Sequence, residues 1–187
     1  MLIIGITGTL GAGKGTIVEY LVQHKNFTHY SVRSFLMEEI EKRGMPVNRD
    51  SMVIIANELR ANHSPSYVTD QLYLKAAKSN TNCVIESIRT PGEIDSLREK
   101  GNFYLFAIDA PSKLRFDRIL LRNSETDNIS YATFIQNEER EMNTSNPAKQ
   151  NLRKCIEMAD FIFENSGNIQ DLQLKVEAVL NQIDIKL

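Results

Sequence analysis

The stretch GITGTLGAGKGT, residues 5–16, places five glycines and one lysine directly after a short apolar run. That run, residues 2–6, has the length of a buried strand rather than of a helix. Beyond the glycines, Ile17, Val18 and Leu21 fall on one stripe of a helix. The sequence therefore predicts a strand, a glycine-rich loop and a helix, in that order.

The glycine-rich loop has the chemistry of an anion cradle. Glycine adopts positive φ angles and has no side chain, so such a loop can bend around a ligand and offer it N–H groups. The first turn of the helix adds further N–H groups and the positive end of the helix dipole. Lys14 adds a full positive charge. We expect phosphate to be bound by Gly8, Thr9, Leu10, Gly11, Ala12, Gly13, Lys14, Gly15 and Thr16.

The spacing of Gly8, Gly13 and Lys14 resembles the P-loop of adenylate kinase and related nucleoside monophosphate kinases. P-loops commonly carry Ser or Thr directly after the lysine, as a magnesium ligand. Here Gly15 takes that place and Thr16 follows it. The resemblance implies an ATP-dependent kinase that holds Mg²⁺ largely through water. It also implies an α/β, three-layer P-loop kinase fold, with a five-stranded parallel sheet, a small helical monophosphate-binding insertion and a short lid.

Length and composition narrow the class of protein. A chain of 187 residues suffices for one full core, so we expect a single domain over residues 1–187. The net charge of −2, without a block of Lys and Arg, gives no reason to expect a nucleic acid partner. Cys83 and Cys155 lie in apolar segments, as reduced core cysteines do. The longest apolar stretch, residues 103–108, is too short to span a bilayer, and the N-terminus does not resemble a signal peptide. We therefore expect a cytoplasmic protein without a membrane partner.

Strands and helices alternate along the chain, which predicts a parallel sheet with helices on both faces. After the first strand, we expect strands at residues 28–32, 82–87, 103–108 and 161–163. We expect helices at residues 34–43, 50–62, 66–79, 91–100, 112–122 and 169–183, one more through the 130s and another after Pro147. The resemblance assigns residues 33–80 to the monophosphate-binding part and residues 123–130 to the lid. Ligands bind at the carboxyl ends of parallel strands, so polar residues just past a strand are the candidates for a site.

Glu86 and Arg89 stand at such a place, because Glu86 ends an apolar strand and Arg89 lies three residues further on. An acid there can hold a water of the magnesium shell, and an arginine can bind phosphate through two parallel hydrogen bonds. The alternative is an ion pair between the two in a loop. The stretch resembles the D-G-F-P-R-T segment of adenylate kinases, but has Glu for Asp and is one residue shorter. This resemblance implies that Glu86 lies near the metal and that Arg89 binds the acceptor monophosphate. In an ATP-dependent kinase of this kind, we expect Mg²⁺ to be held with help from Thr16 or Glu86.

Three arginines, Arg115, Arg118 and Arg122, share one face of the helix at residues 112–122. The stretch D-R-I-L-L-R resembles the segment that enters the lid of adenylate kinases. This resemblance implies that Arg118 and Arg122 contact the nucleotide triphosphate and stabilise the transferred group, which is a catalytic role. For Arg115 we expect a solvated basic face instead.

Three further residues are candidates on the sequence. Arg33 lies where the S-T-G-D-M-L-R segment opens the monophosphate-binding domain of adenylate kinases, and Arg60 lies in the stretch NELRANH. We treat both as candidate substrate contacts. Asn165 follows the last strand, beside the place of the adenine pocket in P-loop kinases, although a simple turn before a helix explains it equally well.

Three functions stay open on the sequence. The leading one is ATP-dependent and Mg²⁺-dependent phosphoryl transfer to a nucleoside or deoxynucleoside monophosphate, a small-molecule substrate. The second is a dephospho-CoA kinase-like activity, because the turn at residues 159–167 resembles those enzymes. Its hydroxyl acceptor needs a base, and the stretch YSVRSF offers no aspartate for this. The third is an ATP-gated binding module without kinase activity. The acceptor base, the sugar and the oligomeric state stay open.

Overall fold

The computed structural model describes residues 1–122 and 129–183. Its strands are β1 (Ile3–Gly8), β2 (Thr28–Ser31), β3 (Cys83–Glu86), β4 (Phe103–Asp109) and β5 (Phe161–Glu164). Its helices are α1 (Lys14–Lys25), α2 (Val32–Lys42), α3 (Arg49–Asn62), α4 (Tyr67–Ser79), α5 (Pro91–Glu99), α6 (Ser112–Arg122), α7 (Tyr131–Met142), α8 (Leu152–Glu157) and α9 (Ile169–Gln182). The strands form one parallel sheet in the order β2-β3-β1-β4-β5.

The apolar side chains of the central strands alternate between the two faces of the sheet, as the pleat requires. Ile3, Ile85 and Leu105 pack in the core on one face, together with side chains from α2, α3, α4 and α5. Ile4 and Ile6 pack in the core on the other face, together with side chains from α1 and α9. The predicted parallel five-stranded sheet with helices on both faces is therefore confirmed.

The order of the elements follows the sequence pattern, but one junction is tighter than expected. We expected β2 to extend through residue 32 and the next helix to begin at residue 34. In the structure β2 ends at Ser31 and α2 begins at Val32. The reason is that the Ser31 hydroxyl accepts a hydrogen bond from the amide of Ser34 and caps the helix, so that the chain turns directly from strand to helix.

Other expectations about the chain meet the structure only in part. Cys83 and Cys155 are both buried and unpaired with each other, as expected for core cysteines. Among the described helices, none is both long and apolar enough to cross a membrane. Of the lid expected at residues 123–130, residues 123–128 lie outside the described residues. The single domain and the monophosphate-binding part at residues 33–80 stay predictions.

Candidate active site

The loop between β1 and α1 has a backbone shape that requires glycine at Gly8 and Gly13. Their φ angles are 138° and 102°, in the region that side chains disfavour. A Cβ at Gly8 would lie 2.1 Å from the carbonyl oxygen of Ile108, and one at Gly13 would lie 2.3 Å from Nδ2 of Asn165. Gly15 differs, because it lies within α1 and a Cβ there would meet open space. Packing therefore does not explain why a hydroxyl residue is missing at position 15.

The first turn of α1 is arranged to receive an anion. Its N-cap is Gly13, which makes no side-chain capping hydrogen bond, and the first turn carries no acidic residue. The amide of Thr16 donates to the carbonyl oxygen of Gly13 at 3.1 Å. The other N–H groups of this turn stand at the positive end of the helix dipole, where an anion can accept from them. The loop is held from β4, where the Asp109 carboxylate accepts a 2.6 Å hydrogen bond from the Thr9 hydroxyl. This is the geometry of a phosphate cradle.

Lys14 folds back over the loop in this structure. Its Nζ donates hydrogen bonds to the carbonyl oxygens of Gly8 at 3.0 Å and Thr9 at 2.7 Å. Burial lowers the pKa of Lys14 to about 7, and the nearby guanidinium of Arg89 adds to this, whereas Glu86 acts in the opposite direction. An anion in the cradle would favour the charged form of this lysine.

A cavity of about 410 Å³ opens beside the loop, and we call it the P-loop cavity. It brings together side chains that are up to about a hundred positions apart, at the edge of the sheet where the parallel strands end. Its lining includes these predicted site residues: Leu10, Gly11, Gly13, Lys14, Gly15, Thr16, Arg33, Glu86, Arg89, Arg118 and Arg122. Nη1 of Arg118 is buried and has no hydrogen-bond partner among the described residues.

A second cavity of about 130 Å³ adjoins the first, and we call it the arginine cavity. The two cavities share Leu10, Arg33, Ser87 and Arg89. The rest of the arginine cavity is lined by a polar group and an apolar group of side chains, namely Arg49, Arg60, Glu141 and Gln150, and Val32, Leu36, Met52, Val53 and Ala56. Arg33 and Arg89 therefore stand between two spaces, one formed by the P-loop and one formed by α2, α3 and α7.

Glu141 pairs with two arginines in the arginine cavity. Its Oε1 accepts a hydrogen bond from Nη2 of Arg49, and its Oε2 accepts one from Nη1 of Arg89 at 2.7 Å. Burial alone would raise the pKa of Glu141, but the charges of Arg89 and Arg49 bring it below its ordinary value. Glu141 is therefore a buried carboxylate that stays ionised. Neither Glu141 nor Arg49 stood out in the sequence, because both lie within helices and no motif surrounds them.

Arg60 is buried and forms an ion pair with Glu93, a partner that the sequence pattern did not suggest. Its Nε and Nη2 donate to Oε1 of Glu93 at 3.1 and 2.8 Å, and both side chains are almost fully buried. The remaining Nη1 has no hydrogen-bond partner in the described part of the chain, although it is buried. Arg60 also lines the arginine cavity, so its role as a substrate contact stays a prediction.

Glu86 hydrogen-bonds His29, not Arg89. The distance from Oε2 of Glu86 to Nε2 of His29 is 3.2 Å, while Arg89 pairs with Glu141. The loop ion pair considered as an alternative on the sequence is therefore not formed. Burial raises the pKa of Glu86, but the hydrogen bond from His29 and the charge of Lys14 lower it by more. The pKa of Glu86 therefore lies below its ordinary value.

The oxygen atoms of Thr16 and Glu86 suit a magnesium ion. Both residues line the P-loop cavity, and Mg²⁺ prefers hard oxygen donors. Over residues 1–122 and 129–183, no group of three or more His, Cys, Asp and Glu side chains could hold a metal ion together. An ion at this place would therefore take most of its ligands from phosphate oxygens and water, as the absent hydroxyl at Gly15 also requires.

The expectation of a solvated face at Arg115 was wrong. Arg115 is only 4% exposed, because this face of α6 packs against the P-loop and α7. Its Nε donates to the carbonyl oxygen of Ala110 at 2.6 Å and its Nη1 to that of Leu10 at 3.2 Å. Its Nη2 forms an ion pair with Glu138 at 2.7 Å. Arg115 thus stabilises the P-loop through the carbonyl oxygen of Leu10 and does not line the P-loop cavity.

Asn165 contacts the P-loop backbone. It is 7% exposed, and its Nδ2 donates a 2.8 Å hydrogen bond to the carbonyl oxygen of Ala12. It does not contribute to the lining of the P-loop cavity. A contact between Asn165 and an adenine ring stays a prediction.

The comparison with known proteins agrees with this geometry. Residues 4–144 match the family model described as AAA domain. The chain belongs to this family of P-loop NTPases. It is also similar to a UPF0200 protein of Methanococcus maripaludis (strain C7), with 30% identity over 187 residues that cover 98% of each chain.

Two solved structures show the same fold. TT1252 from Thermus thermophilus has a TM-score of 0.60 at 21% identity, and the match covers 97% of each chain. A gluconokinase from Sinorhizobium meliloti 1021 has a TM-score of 0.59 at 12% identity, over 97% of this chain and 93% of that one. The chain thus has a P-loop kinase-like fold that is also found in kinases of small molecules.

Proposed function

We propose that the protein is a phosphotransferase that moves the γ-phosphoryl group of ATP to a nucleoside or deoxynucleoside monophosphate. The observation that carries this proposal is the pair of adjoining cavities with Arg33 and Arg89 between them. The P-loop cavity suits the polyphosphate of the donor, and the arginine cavity suits an anionic acceptor. Phosphoryl transfer needs these two ligands side by side and in line.

On the donor side, the N–H groups of the loop and Lys14 would hold the β- and γ-phosphates. Arg118 and Arg122 would contact the transferred group from α6, and the unpartnered Nη1 of Arg118 supports this role. Thr16 and Glu86 would hold a magnesium ion and its waters. When it is bound, the ion neutralises part of the charge on the phosphate oxygens.

On the acceptor side, the charge balance supports a doubly negative ligand. Four arginines line the arginine cavity, namely Arg33, Arg49, Arg60 and Arg89. Two carboxylates, those of Glu93 and Glu141, pair with arginines of this set, so two positive charges are left without a counter-charge from these carboxylates. A phosphate monoester carries nearly two negative charges at neutral pH. The apolar part of the lining, which includes Leu36 and Met52, offers a surface for a base.

The ionisation of Glu141 also favours a phosphate acceptor over a hydroxyl acceptor. A hydroxyl must lose a proton during transfer, whereas an acceptor phosphate oxygen is already ionised. Glu141 is the carboxylate that lines the arginine cavity, and its lowered pKa makes it a weak base. A small hydroxy acid or dephospho-CoA is the second candidate acceptor, because an arginine cluster can hold any small anion.

The test is an assay of ADP formation with ATP and magnesium. Its panel holds each nucleoside monophosphate, each deoxy counterpart, dephospho-CoA, gluconate and a blank without acceptor. A rise with one monophosphate, lost in Lys14→Ala and retained in Lys25→Ala at the other end of α1, would support the proposal. A rise with gluconate or dephospho-CoA alone would contradict it. ATP binding with no rise for any acceptor would favour the ATP-gated binding module.

A further inference from the structure

The carboxylate of Glu141 lines the arginine cavity and pairs there with Arg49 and Arg89. We propose that Glu141 is an internal competitor of the acceptor's anionic group, which must displace it from Arg49 and Arg89 in order to bind. The proposal rests on the proposed function, because it concerns the acceptor side of the same site. It assigns to Glu141 the role of setting the affinity for the acceptor.

The Glu141 carboxylate is held in the way that a bound anion would be held. Glu141 is 5% exposed, and each of its two oxygens accepts a hydrogen bond from a different arginine. The partners come from α3 and from the turn after β3, so the carboxylate bridges two elements of the acceptor side. A terminal phosphate group presents oxygens of similar spacing and more charge, and arginine binds both groups in the same manner.

Glu141 does not satisfy all the hydrogen-bond donors that line the arginine cavity. Arg49 presents Nε and Nη2 on one edge of its guanidinium, and Glu141 takes only Nη2. Nε of Arg49 is buried and has no hydrogen-bond partner among the described residues, and the same is true of Nη1 of Arg60. Buried donors without a partner are unfavourable. A phosphate has enough oxygens to satisfy both of these donors as well as Arg89, which the carboxylate does not do.

The effect of Glu141→Gln on anion binding distinguishes a competing carboxylate from one that only orients the arginines. If Glu141 only oriented Arg49 and Arg89 for the acceptor, then Glu141→Gln would weaken anion binding. If it competes with the acceptor, the same substitution removes a negative charge from the site and strengthens binding. We expect a gain of about tenfold, since charged pairs of this kind are worth at least that factor.

The experiment uses inorganic phosphate as the probe, in protein whose P-loop has been weakened as a phosphate site by Lys14→Ala. Titration calorimetry at constant ionic strength compares Lys14→Ala with Lys14→Ala/Glu141→Gln. Glu139→Gln in the same background is the matched control, because Glu139 is an exposed glutamate on the same helix and the net charge changes equally. We expect about tenfold tighter phosphate binding for the Glu141 variant alone. Equal or weaker binding would overturn the proposal.

A second variant and a second measurement show whether a change in phosphate binding results only from a loss of stability. Glu141→Asp keeps the charge but shortens the reach, so we expect a smaller gain in affinity for phosphate. Phosphate should also raise the melting temperature of the Glu141→Gln protein more than that of its parent, because it replaces the lost carboxylate. If neither variant shows a gain, the proposal fails. Since no step measures kinase activity, this outcome is independent of the acceptor panel described above.

Discussion

Asn165 and Ala12 are 153 positions apart in the chain and are joined by a buried hydrogen bond of 2.8 Å from Nδ2 to the carbonyl oxygen. The same Nδ2 would lie only 2.3 Å from a Cβ on Gly13. The turn after β5 therefore fixes both the position of the P-loop backbone and the residue that can stand at its N-cap. The shape of the loop is a tertiary property as well as a local one.

Asn165→Ala should weaken nucleotide binding without abolishing the fold. The Ala12 carbonyl would lose its partner, which costs about 1–3 kcal/mol of the free energy of unfolding for a buried group. We expect ATP to bind at least about fivefold more weakly, since a loosened loop offers its N–H groups less well. Urea unfolding and ATP titration measure the two effects, with Ser166→Ala at the exposed neighbour as the control. An unchanged affinity for ATP would show that the loop holds its shape without Asn165.

Gly13→Ala and Gly15→Ala should differ sharply, although only two positions separate them. Alanine at Gly13 would have to adopt a φ of 102° and would collide with Asn165. We expect this variant to lose ATP binding and to melt at a lower temperature. Alanine at Gly15 meets open space within α1 and is a better helix former by about 1 kcal/mol. It should melt at the same or a higher temperature; similar losses for both variants would contradict this account of the loop.

Nucleotide binding should take up a proton at Lys14 above neutral pH. The pKa of this lysine is lowered to about 7 by burial and by Arg89, so it is largely neutral at about pH 8.5 in the unliganded protein. A polyphosphate nearby favours the charged form and raises the pKa. Calorimetry in buffers of different ionisation enthalpy should therefore give an uptake of nearly one proton at about pH 8.5 and close to none at about pH 6.

Lys14→Arg is the control for this uptake, because a guanidinium is charged at every pH used. It should take up no proton at about pH 8.5, where the phosphates of the nucleotide are already ionised, if nucleotide still binds. A wild-type uptake that is the same at both pH values would mean that Lys14 is already charged before the nucleotide arrives. Glu86 and Glu141 both favour that charged form, so the experiment measures which influence prevails.

The part of the candidate site around the P-loop could be predicted from the sequence because its chemistry is local. The glycine spacing, Lys14 and the following helix are contiguous, and one rule about strand ends pointed to Glu86 and Arg89. The structure places Gly13, Lys14, Glu86 and Arg89 in the lining of one cavity. The order of strands and helices also followed from hydrophobic periodicity, which depends on neighbours a few positions apart.

The arginine cavity could not be predicted in the same way. Arg49 and Glu141 meet across 92 positions, and each lies on a helix whose orientation depends on packing. For the same reason, the burial of Arg115 against Glu138 could not be predicted from the sequence. Helical periodicity indicates that residues share a face, but it does not say what that face contacts.

Arg60→Met should be strongly destabilising, and Arg43→Met should not. The ion pair of Arg60 with Glu93 is almost fully buried, and breaking a buried pair costs about 3–5 kcal/mol of the free energy of unfolding. Arg43 forms an ion pair with Glu58, but this pair lies near the surface. A surface pair contributes less than about 1 kcal/mol to the free energy of unfolding. Urea unfolding measures both losses. Similar small losses would mean that hydrogen bonds from the amides of Arg89 and Thr90 suffice to stabilise the buried Glu93 carboxylate. The role of Arg60 would then be to offer its unpartnered Nη1 to the acceptor, and not to stabilise the fold.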